Sequence, residues 1–340
     1  MAACAGHIAV VVIFQRRSAY VDQCLEAIAN LRGGPWPLIL VGDEFVPAYE
    51  QYGTQVVDAG GISHKRNVGA AAAPQQCRFI AYVDSDAFPQ EDWLVQARQR
   101  LEQSDASLAA VTGPALTPPQ EPWLRRICGW AMASPLIMGP QVSGNYDPHR
   151  TAELVQNAST CNLVVRRDVL ERLGGFDESL RTSEDVALSN AIVAAGMTIL
   201  RDPAVVVYHH RRDLVHFWMQ WFNEGLSLKQ RGTFNRAGAV LVWIPSLFVI
   251  AQAVLAGLGL VGLLAMLQGL QLIVFLIDRK LAKAPWLDSL GAAVAMWGFP
   301  IAYGIGGIAS FLGGCRLYLA SRNDPQATAA DSLARQEESS

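Results

Sequence analysis

The sequence predicts an α/β fold, a largely parallel sheet covered by helices and followed by helices of membrane-spanning length. Three observations carry that expectation. Short β-branched apolar runs alternate with stretches of helical period from His7 to Arg212. One of those runs, RFIAYVDSDAF, ends in acids, and open α/β sheets bind ligands outside the carboxyl ends of their strands. From Ala237 to Ile277 no side chain is charged.

HIAVVVIF, His7 to Phe14, is continuous, β-branched and short, as a strand buried on both faces requires. Val21, Leu25, Ile28 and Leu31 recur at helical spacing, and Gly33, Gly34 and Pro35 stop that helix. PLILV (37–41) and TQVVDA (54–59) read as strands, and HKRNVGAAAA opens an Ala-rich helix before Pro74. RFIAYVDSDAF (78–88) reads as one buried strand and EDWLVQARQRLEQ as a helix. SLAAVTGPAL reads as a strand running into Pro118, Pro119 and Pro122. Up to about residue 117 this is the nucleotide-binding half of an α/β sheet.

The pattern weakens from Trp123 to Arg150. Two readings of WLRRICGWAMASPLIMGP stand side by side: a mobile acceptor lid touching a membrane, and an amphipathic cover for the core. TCNLVVRR then reads as a strand, DVLERLGG as a helix, TSEDVALSNAIVAAG as an acidic turn opening a helix, and MTILRDPAVVVYHH as the last strand. Residues 1–212 are thus expected to form one domain.

Residues 213–236 carry Phe217, Trp218, Trp221, Phe222 and Leu226 on one helical side, with Arg231 and Arg236 after them, the composition of an interfacial segment. Residues 237–316 are expected to hold about three spanning helices (238–256, 259–277 and 289–315). A Gly-Leu-Gly turn separates the first two, and Pro300 is tolerated in the third. Arg279, Lys280 and Lys283 fall on the same side as Arg231 and Arg236. The positive-inside rule gives that side, and the catalytic domain, to the cytoplasm of a multi-pass inner-membrane protein. The tail 317–340 is polar and expected to be disordered.

Bulk properties exclude other classes. A net charge of -3 offers no basic surplus for a phosphate backbone, so nucleic acid is not an expected partner. The six cysteines form no CxxC pair and no zinc or disulfide spacing, which fits a reduced cytosolic domain. MAACAGHIAVVVIF has no Lys or Arg before its apolar run and so does not read as a secretory signal. Asn157-Ala158-Ser159 matches a glycosylation sequon, but in a domain expected to be cytosolic.

The chemistry-bearing residues form two acidic points. Asp84 and Asp86 lie two apart at a strand end, where a turn lets both carboxylates reach one hard divalent cation, Mg or Mn. Such a pair is common in surface loops; its place after the buried run FIAYV singles this one out. Glu184-Asp185 opens a helical stretch after Leu-Gly-Gly-Phe-Asp. Acids there also cap helices. Across a sheet-edge crevice from Asp84 and Asp86, a carboxylate there is placed to take the proton of an attacking hydroxyl.

In combination, AVVVIFQRRSAYVDQCLEAI, PLILVGDE, KRNVGAAAA, FIAYVDSDAF, NLVVRRDVLERLGGFDESL, SEDVALSNAIVAAG and AVVVYHHRR resemble the family 2 glycosyltransferases of GT-A fold, over roughly residues 7–212. WAMASPLIMG and the aromatic-basic exit resemble the succinoglycan type of bacterial exopolysaccharide transferase. The resemblance implies an inverting, metal-dependent transfer from a nucleotide-sugar donor to a hydroxyl of a lipid-linked saccharide, polyprenyl-linked or polysaccharide-precursor acceptor beside membrane lipids. It implies that Asp43 reads the nucleobase and that Arg66 and Asn67 lie near the donor. It also implies that Asp84 contacts the donor ribose or the metal, that Asp86 ligates the metal, and that Asp185 is the general base, held by Glu184. His209 or His210 completes the metal site or touches the diphosphate. Two adjacent histidines cannot both point inward, and His209 is favoured. The arginines of His-His-Arg-Arg (209–212) are expected at donor phosphates or lipid headgroups.

The chain departs from the family at Phe14, Gln15 and Arg16, which replace a Thr/Tyr/Asn-type loop, and at Ala187, where a second acid is usual. No QxxRW follows residue 212, which sets the chain apart from processive cellulose- or hyaluronan-type synthases. Two rival readings are a polyprenyl-phosphate sugar synthase, whose phosphate acceptor needs no base, and a non-catalytic membrane nucleotide-binding protein.

Overall fold

A computed structural model of the chain describes residues 7–147, 149–180, 183–226 and 239–312. Arg231, Arg236 and the tail 317–340, singled out above, lie outside the described residues. The chain divides into two compact units, one of residues up to Pro122 together with Met132–Arg211, the other of Trp123–Ala131 together with Arg212 onward.

The first unit opens with β1 (Ile8–Phe14), α1 (Ala19–Ala29), β2 (Leu38–Gly42), β3 (Thr54–Val57), α2 (Ile62–Ala72) and β4 (Phe79–Asp84). Ser18 caps α1 by accepting the Val21 amide at 3.3 Å. Then come β5 (Ala87–Pro89), α3 (Trp93–Gln103), β6 (Leu108–Thr112) and β7 (Ala115–Leu116). After α4 (Trp123–Met132), most of which belongs to the second unit, follow α5 (Pro135–Ser143), β8 (Glu153–Val155), β9 (Leu163–Arg166), α6 (Arg167–Leu173), α7 (Glu184–Ala194), β10 (Thr198–Arg201) and β11 (Val207–His209).

Eight strands form one mixed sheet in the order β3-β2-β1-β4-β9-β6-β10-β8. The antiparallel members are β9, which inserts between β4 and β6, and the edge strand β8. Side chains of β1 alternate between the two faces, as the pleat requires. Ile8, Val10, Val12 and Phe14 pack with α1 and α3, whereas Ala9 and Val11 pack on the opposite side with Val169, Leu170, Leu188 and Ile192. The continuous apolar run is therefore buried on both faces.

Three runs expected as single strands are broken. RFIAYVDSDAF turns at Ser85-Asp86 between β4 and β5, SLAAVTGPAL breaks at Gly113-Pro114 between β6 and β7, and MTILRDPAVVVYHH breaks after Arg201 between β10 and β11. The three second halves leave the large sheet and build a small one, in the order β5-β11-β7. Pro114 and Pro203 have no amide to continue a ladder. Asn162, 1% exposed, stitches the bends: its amide donates to the carbonyls of Pro114 (3.2 Å) and Val205 (2.7 Å), and its oxygen accepts from Trp93 Nε1 at 2.8 Å.

The second unit contains α4 and the helices α8 (Leu214–Leu226), α9 (Ala239–Gly257), α10 (Val261–Leu281) and α11 (Trp286–Phe311). Trp123–Ala131 groups here rather than with the sheet. Arg126 Nη2 donates to Asp288 at 3.1 Å, Arg279 Nη1 donates to the Trp130 carbonyl at 2.9 Å, and Trp123 and Ile127 close over Gly291. The aromatic side of α8, expected at headgroup level, is packed on α11: Trp218 Nε1 donates to the Ala295 carbonyl at 3.0 Å, and Trp221 meets Phe299 at 4.7 Å between ring centroids. Val215 and Met219 form its exposed side. Gln268 of α10 donates to Gln252 of α9 at 2.7 Å and accepts from Trp297 of α11, a polar cross-link of the kind that holds apolar helices together. Among the described residues two helices, α10 and α11, are long and apolar enough to cross a membrane, while the apolar part of α9, Trp243–Gly257, is shorter. Three spans were expected. The turn between α9 and α10 is made at Gly259, φ 73, in the predicted Gly-Leu-Gly.

Candidate functional site

The turn between β4 and β5 projects Asp84 and Asp86 from the carboxyl end of β4. Antiparallel pairing of β11 with β5 sets His209 opposite Ala87, and the His210 amide donates to the Asp86 carbonyl at 3.1 Å. The small sheet thereby carries a histidine from far along the chain to the two acids. His209 Nε2 lies 3.4 Å from Asp86 Oδ1 and 3.9 Å from Asp84 Oδ2. One ligand atom from each of the three lies within 4.8 Å of the others.

His209 Nδ1 is 2.7 Å from the His210 carbonyl and 3.4 Å from Arg211 Nη1. A guanidinium only donates, so the closer carbonyl decides the tautomer: Nδ1 carries the proton and Nε2 keeps a lone pair toward the acids. This is how imidazoles are oriented at metal centres. His210 turns the other way, to Glu121 and to Gln23 at 2.8 Å, its ring tilted 37° against Tyr20 at 4.5 Å between centroids. Of the two histidines the sequence left in question, His209 is the one at the acids.

Arg66, 5% exposed on α2, joins the two acidic points. Its Nη2 donates to Asp84 at 3.2 Å and its Nη1 to Glu184. Burial opposes the Arg66 charge, but Asp84, Glu184 and Asp185 outweigh it and hold the guanidinium more firmly protonated than usual. Burial raises the Asp84 carboxyl; Arg66 counters this and Asp86 adds to it. Two carboxylate donors and one imidazole, with an excess of negative charge, are a donor set that fits a divalent cation.

Ser183, at φ 63, turns the chain so that Glu184 and Asp185 occupy the first turn of α7. Glu184 is buried and bound to Arg66, while Asp185 is half-buried and accepts the Val186 amide at 2.8 Å. Burial first, and the Glu184 charge second, push the Asp185 carboxyl up to about 6. A carboxylate poised near neutrality is suited to general-base work.

Asn67, expected near the donor, holds a turn beside α6. It donates to the Phe176 carbonyl and to Glu178, both at 2.9 Å, and accepts the Phe176 amide at 2.8 Å. This holds the turn in which Gly174 and Gly175 adopt φ 80 and 77, a left-handed backbone that favours glycine. A Cβ on Gly175 would stand 2.5 Å from Asn67 Oδ1. Asp43, beyond β2, forms an ion pair with Lys65.

Lys65, Asn162 and Tyr146 were not singled out by role in the sequence, and Arg211 was expected at donor phosphates or lipid headgroups. Arg211 is buried, donates to Thr117 at 3.1 Å and to the Ala115 carbonyl, and lies 5.0 Å over the Tyr146 ring. The signal for Lys65 was present: α2 buries Ser63, Lys65, Arg66 and Gly69, a polar inward face in an Ala-rich helix. Cys161 lies near the acids, and burial pushes its thiol up to about 12, out of the range of a nucleophile.

Compared with known proteins, the chain matches no family model. It is 30% identical over 159 residues to pre-mycofactocin glycosyltransferases of two Mycobacterium tuberculosis strains, CDC 1551 / Oshkosh and ATCC 25618 / H37Rv, an alignment covering 47% of this chain. The chain spans 32% of the length of these curated relatives. Among solved structures it is similar to the mannosyltransferase PcManGT of Pyrobaculum calidifontis in complex with GDP-Man and Mn2+. The TM-score is 0.58 at 16% identity, over 89% of this chain and 87% of that one. At that identity the likeness is one of fold, and it establishes that the mixed α/β sheet of this chain is built as the sheet of a glycosyltransferase is.

Proposed function

We propose that the chain is an inverting glycosyltransferase that moves a sugar from a nucleotide-sugar to a hydroxyl acceptor with a divalent cation on Asp84, Asp86 and His209. The convergence of those three side chains at the end of β4, with Asp185 coupled to them through Glu184 and Arg66, carries the reading. The names of the relatives and the GDP-Man and Mn2+ of the solved mannosyltransferase support it. An imidazole in the donor set favours Mn over Mg.

A cation bound there neutralises charge on the departing nucleoside diphosphate. Asp185, ionised above about pH 6, accepts the acceptor proton as its oxygen attacks the anomeric carbon in line with the leaving group. Arg66 holds Glu184 and Asp84 in fixed positions, so the base and the cation ligands keep one spacing. The membrane-spanning length of α10 and α11 supports association with a membrane; the lipid-linked acceptor, the multi-pass inner-membrane placement and the cytoplasmic catalytic unit, as in exopolysaccharide assembly, are part of the proposal.

The test is transfer from a panel of labelled nucleotide-sugars to a membrane lipid extract, with the full chain in detergent and Mn2+. Asp86→Asn and Asp185→Asn are expected to abolish transfer while the protein still inserts and folds, and a chelator to abolish it in the wild type. Full activity in either variant sinks the assignment. Activity that survives only in Asp185→Asn and remains chelator-sensitive favours a phosphate acceptor, as in a polyprenyl-phosphate sugar synthase.

A further inference from the structure

The first turn of α2 carries a histidine that stands between two carboxylates. His64 Nδ1 lies 2.9 Å from Glu178 Oε2, in the turn after α6, and Nε2 lies 3.1 Å from Asp58 Oδ2, just beyond β3. A neutral imidazole has one N–H and one lone pair, so it serves one carboxylate and turns its lone pair on the other. The geometry fits the imidazolium, which donates to both. Glu178, by its bond from Asn67 first, and Asp58, by its bond from the Gly60 amide first, are held below the ordinary carboxyl values. Glu178 and then Asp58 hold the ring proton against burial, so the imidazolium persists above the ordinary 6.5. Among the described residues the charged groups that face this cluster are those two carboxylates and Lys65, the next residue on α2. Within the cluster the imidazole is the group that changes charge near neutrality.

α2 grips the chain on the approach to α7. Ser63 Oγ donates to the Leu180 carbonyl at 3.4 Å, Asn67 bonds both backbone groups of Phe176, and Arg66 holds Glu184. Leu180 stands four positions before Glu184 and five before Asp185. We propose that His64 is a positioning residue for the general base, an imidazolium bridge that pins residues 176–180 to α2 and β3 and lets go as pH rises. This rests on the reading of Asp185 as the base and deepens it. His64 touches neither of the two acids at the start of α7; it fixes where the segment that leads to them begins. Once neutral, the ring keeps one carboxylate and repels the other, while Asn67 still holds Glu178, so the turn loosens without being lost. The three side chains are 25–50% exposed, which keeps the effect moderate and makes it weaker in high salt.

The experiment joins two measurements on the full chain in detergent. The first needs no turnover: hydrogen–deuterium exchange of peptides covering 176–180 at pH 6 and pH 8.5, corrected for the intrinsic pH dependence of exchange. In the wild type these peptides are expected to exchange about three- to tenfold faster at pH 8.5, the scale of one exposed ion-paired contact. His64→Gln is expected to be fast at both pH values. His64→Arg, whose guanidinium stays charged and donates from two nitrogens, is expected to be slow at both. The second measurement is the pH profile of transfer with Mn2+. The wild type is expected to lose about three- to tenfold in kcat along an alkaline limb above 6.5. His64→Arg removes that limb at the high rate and His64→Gln removes it at the low one. Glu178→Gln, which keeps an oxygen for Asn67, moves it to lower pH. Exchange at 176–180 that is the same at both pH values in the wild type, or an alkaline limb unchanged in His64→Arg, overturns the bridge. Exchange as expected with a transfer rate flat above 6.5 overturns the positioning role. No transfer from any nucleotide-sugar overturns the reading beneath it, and the exchange measurement still decides the bridge.

Discussion

Asp185 is half-buried beside another carboxylate, and both conditions disfavour its charge. The ordinary Asp value of 3.8 rises to about 6 in the folded chain. With the folded value above the unfolded one, the native state holds this proton more tightly, so its contribution to stability falls as pH rises from about 4 through about 6. At neutral pH the native state carries an unfavourable charge, the one the proposed general base requires. Asp185→Asn is therefore expected to raise Tm at pH 7.5 and to have no effect on Tm below about pH 4, as followed by thermal unfolding. A lowered Tm at pH 7.5 contradicts the buried-charge account. The wild-type transfer rate is expected to fall about tenfold per pH unit below about 6, as a single essential base requires. At this scale the sequence made acids legible through their place at element ends, Asp84 and Asp86 after a strand and Asp185 opening a helix. Arg66 was legible as a cation near the site but not as the link between its two halves. Its partners lie 18 and 118 positions away, and only the tertiary fold brings them together.

The elements were legible wherever a continuous apolar run or a 3.6 period was uninterrupted, the first in β1 and β4 and the second in α1 and α3. The breaks that build the small sheet were not, although Gly113, Pro114 and Pro203 stood in plain view. Apolar, β-branched residues continue past each break, and periodicity does not distinguish a long strand from two short ones in different sheets. Gly113 shows what the break demands: a Cβ there would lie 1.9 Å from the Val205 carbonyl oxygen and 2.7 Å from that of Asp202. Both are backbone atoms at the β10–β11 bend, so relief requires moving β11 and with it His209. Gly113→Ala is expected to destabilise the protein by about 1–3 kcal/mol, roughly 2–4 °C of Tm per kcal/mol at this size. It is also expected to weaken the Mn2+-dependent rise in Tm. Gly61→Ser, at the N-cap of α2 with open space around its Cβ, is the comparison, expected to leave both readouts unchanged. A Gly113→Ala protein with wild-type Tm and Mn2+ response overturns the claim that this bend sets His209.

For the whole molecule, one stretch of sequence changes its allegiance. Trp123–Ala131 lies between strands of the large sheet and of the small one in sequence but belongs to the helical unit, which gives a physical reason why its pattern weakened. An amphipathic helix shows its apolar stripe without saying which partner covers it. Here the partners are more than 140 residues away: Trp123 and Ile127 close over Gly291, Arg126 meets Asp288, and the Trp130 carbonyl accepts from Arg279. A fragment cut after Arg212 keeps α4 and loses all of them. Ile127, Cys128 and Ala131, each at most 1% exposed in the intact chain, would sit on a helix stripped of its cover, and exposed apolar patches of this kind associate. Residues 1–212 are therefore expected to pellet or elute as aggregates in detergent-free buffer. The same fragment carrying Trp123→Ser and Ile127→Ser is expected to stay soluble, because those changes replace the two large side chains that pack over Gly291 with hydroxyls and leave the sheet and its acids untouched. Sedimentation and size-exclusion chromatography of the two fragments decide the point: a soluble monomer from the unaltered fragment would mean that α4 does not depend on the helical unit for its cover.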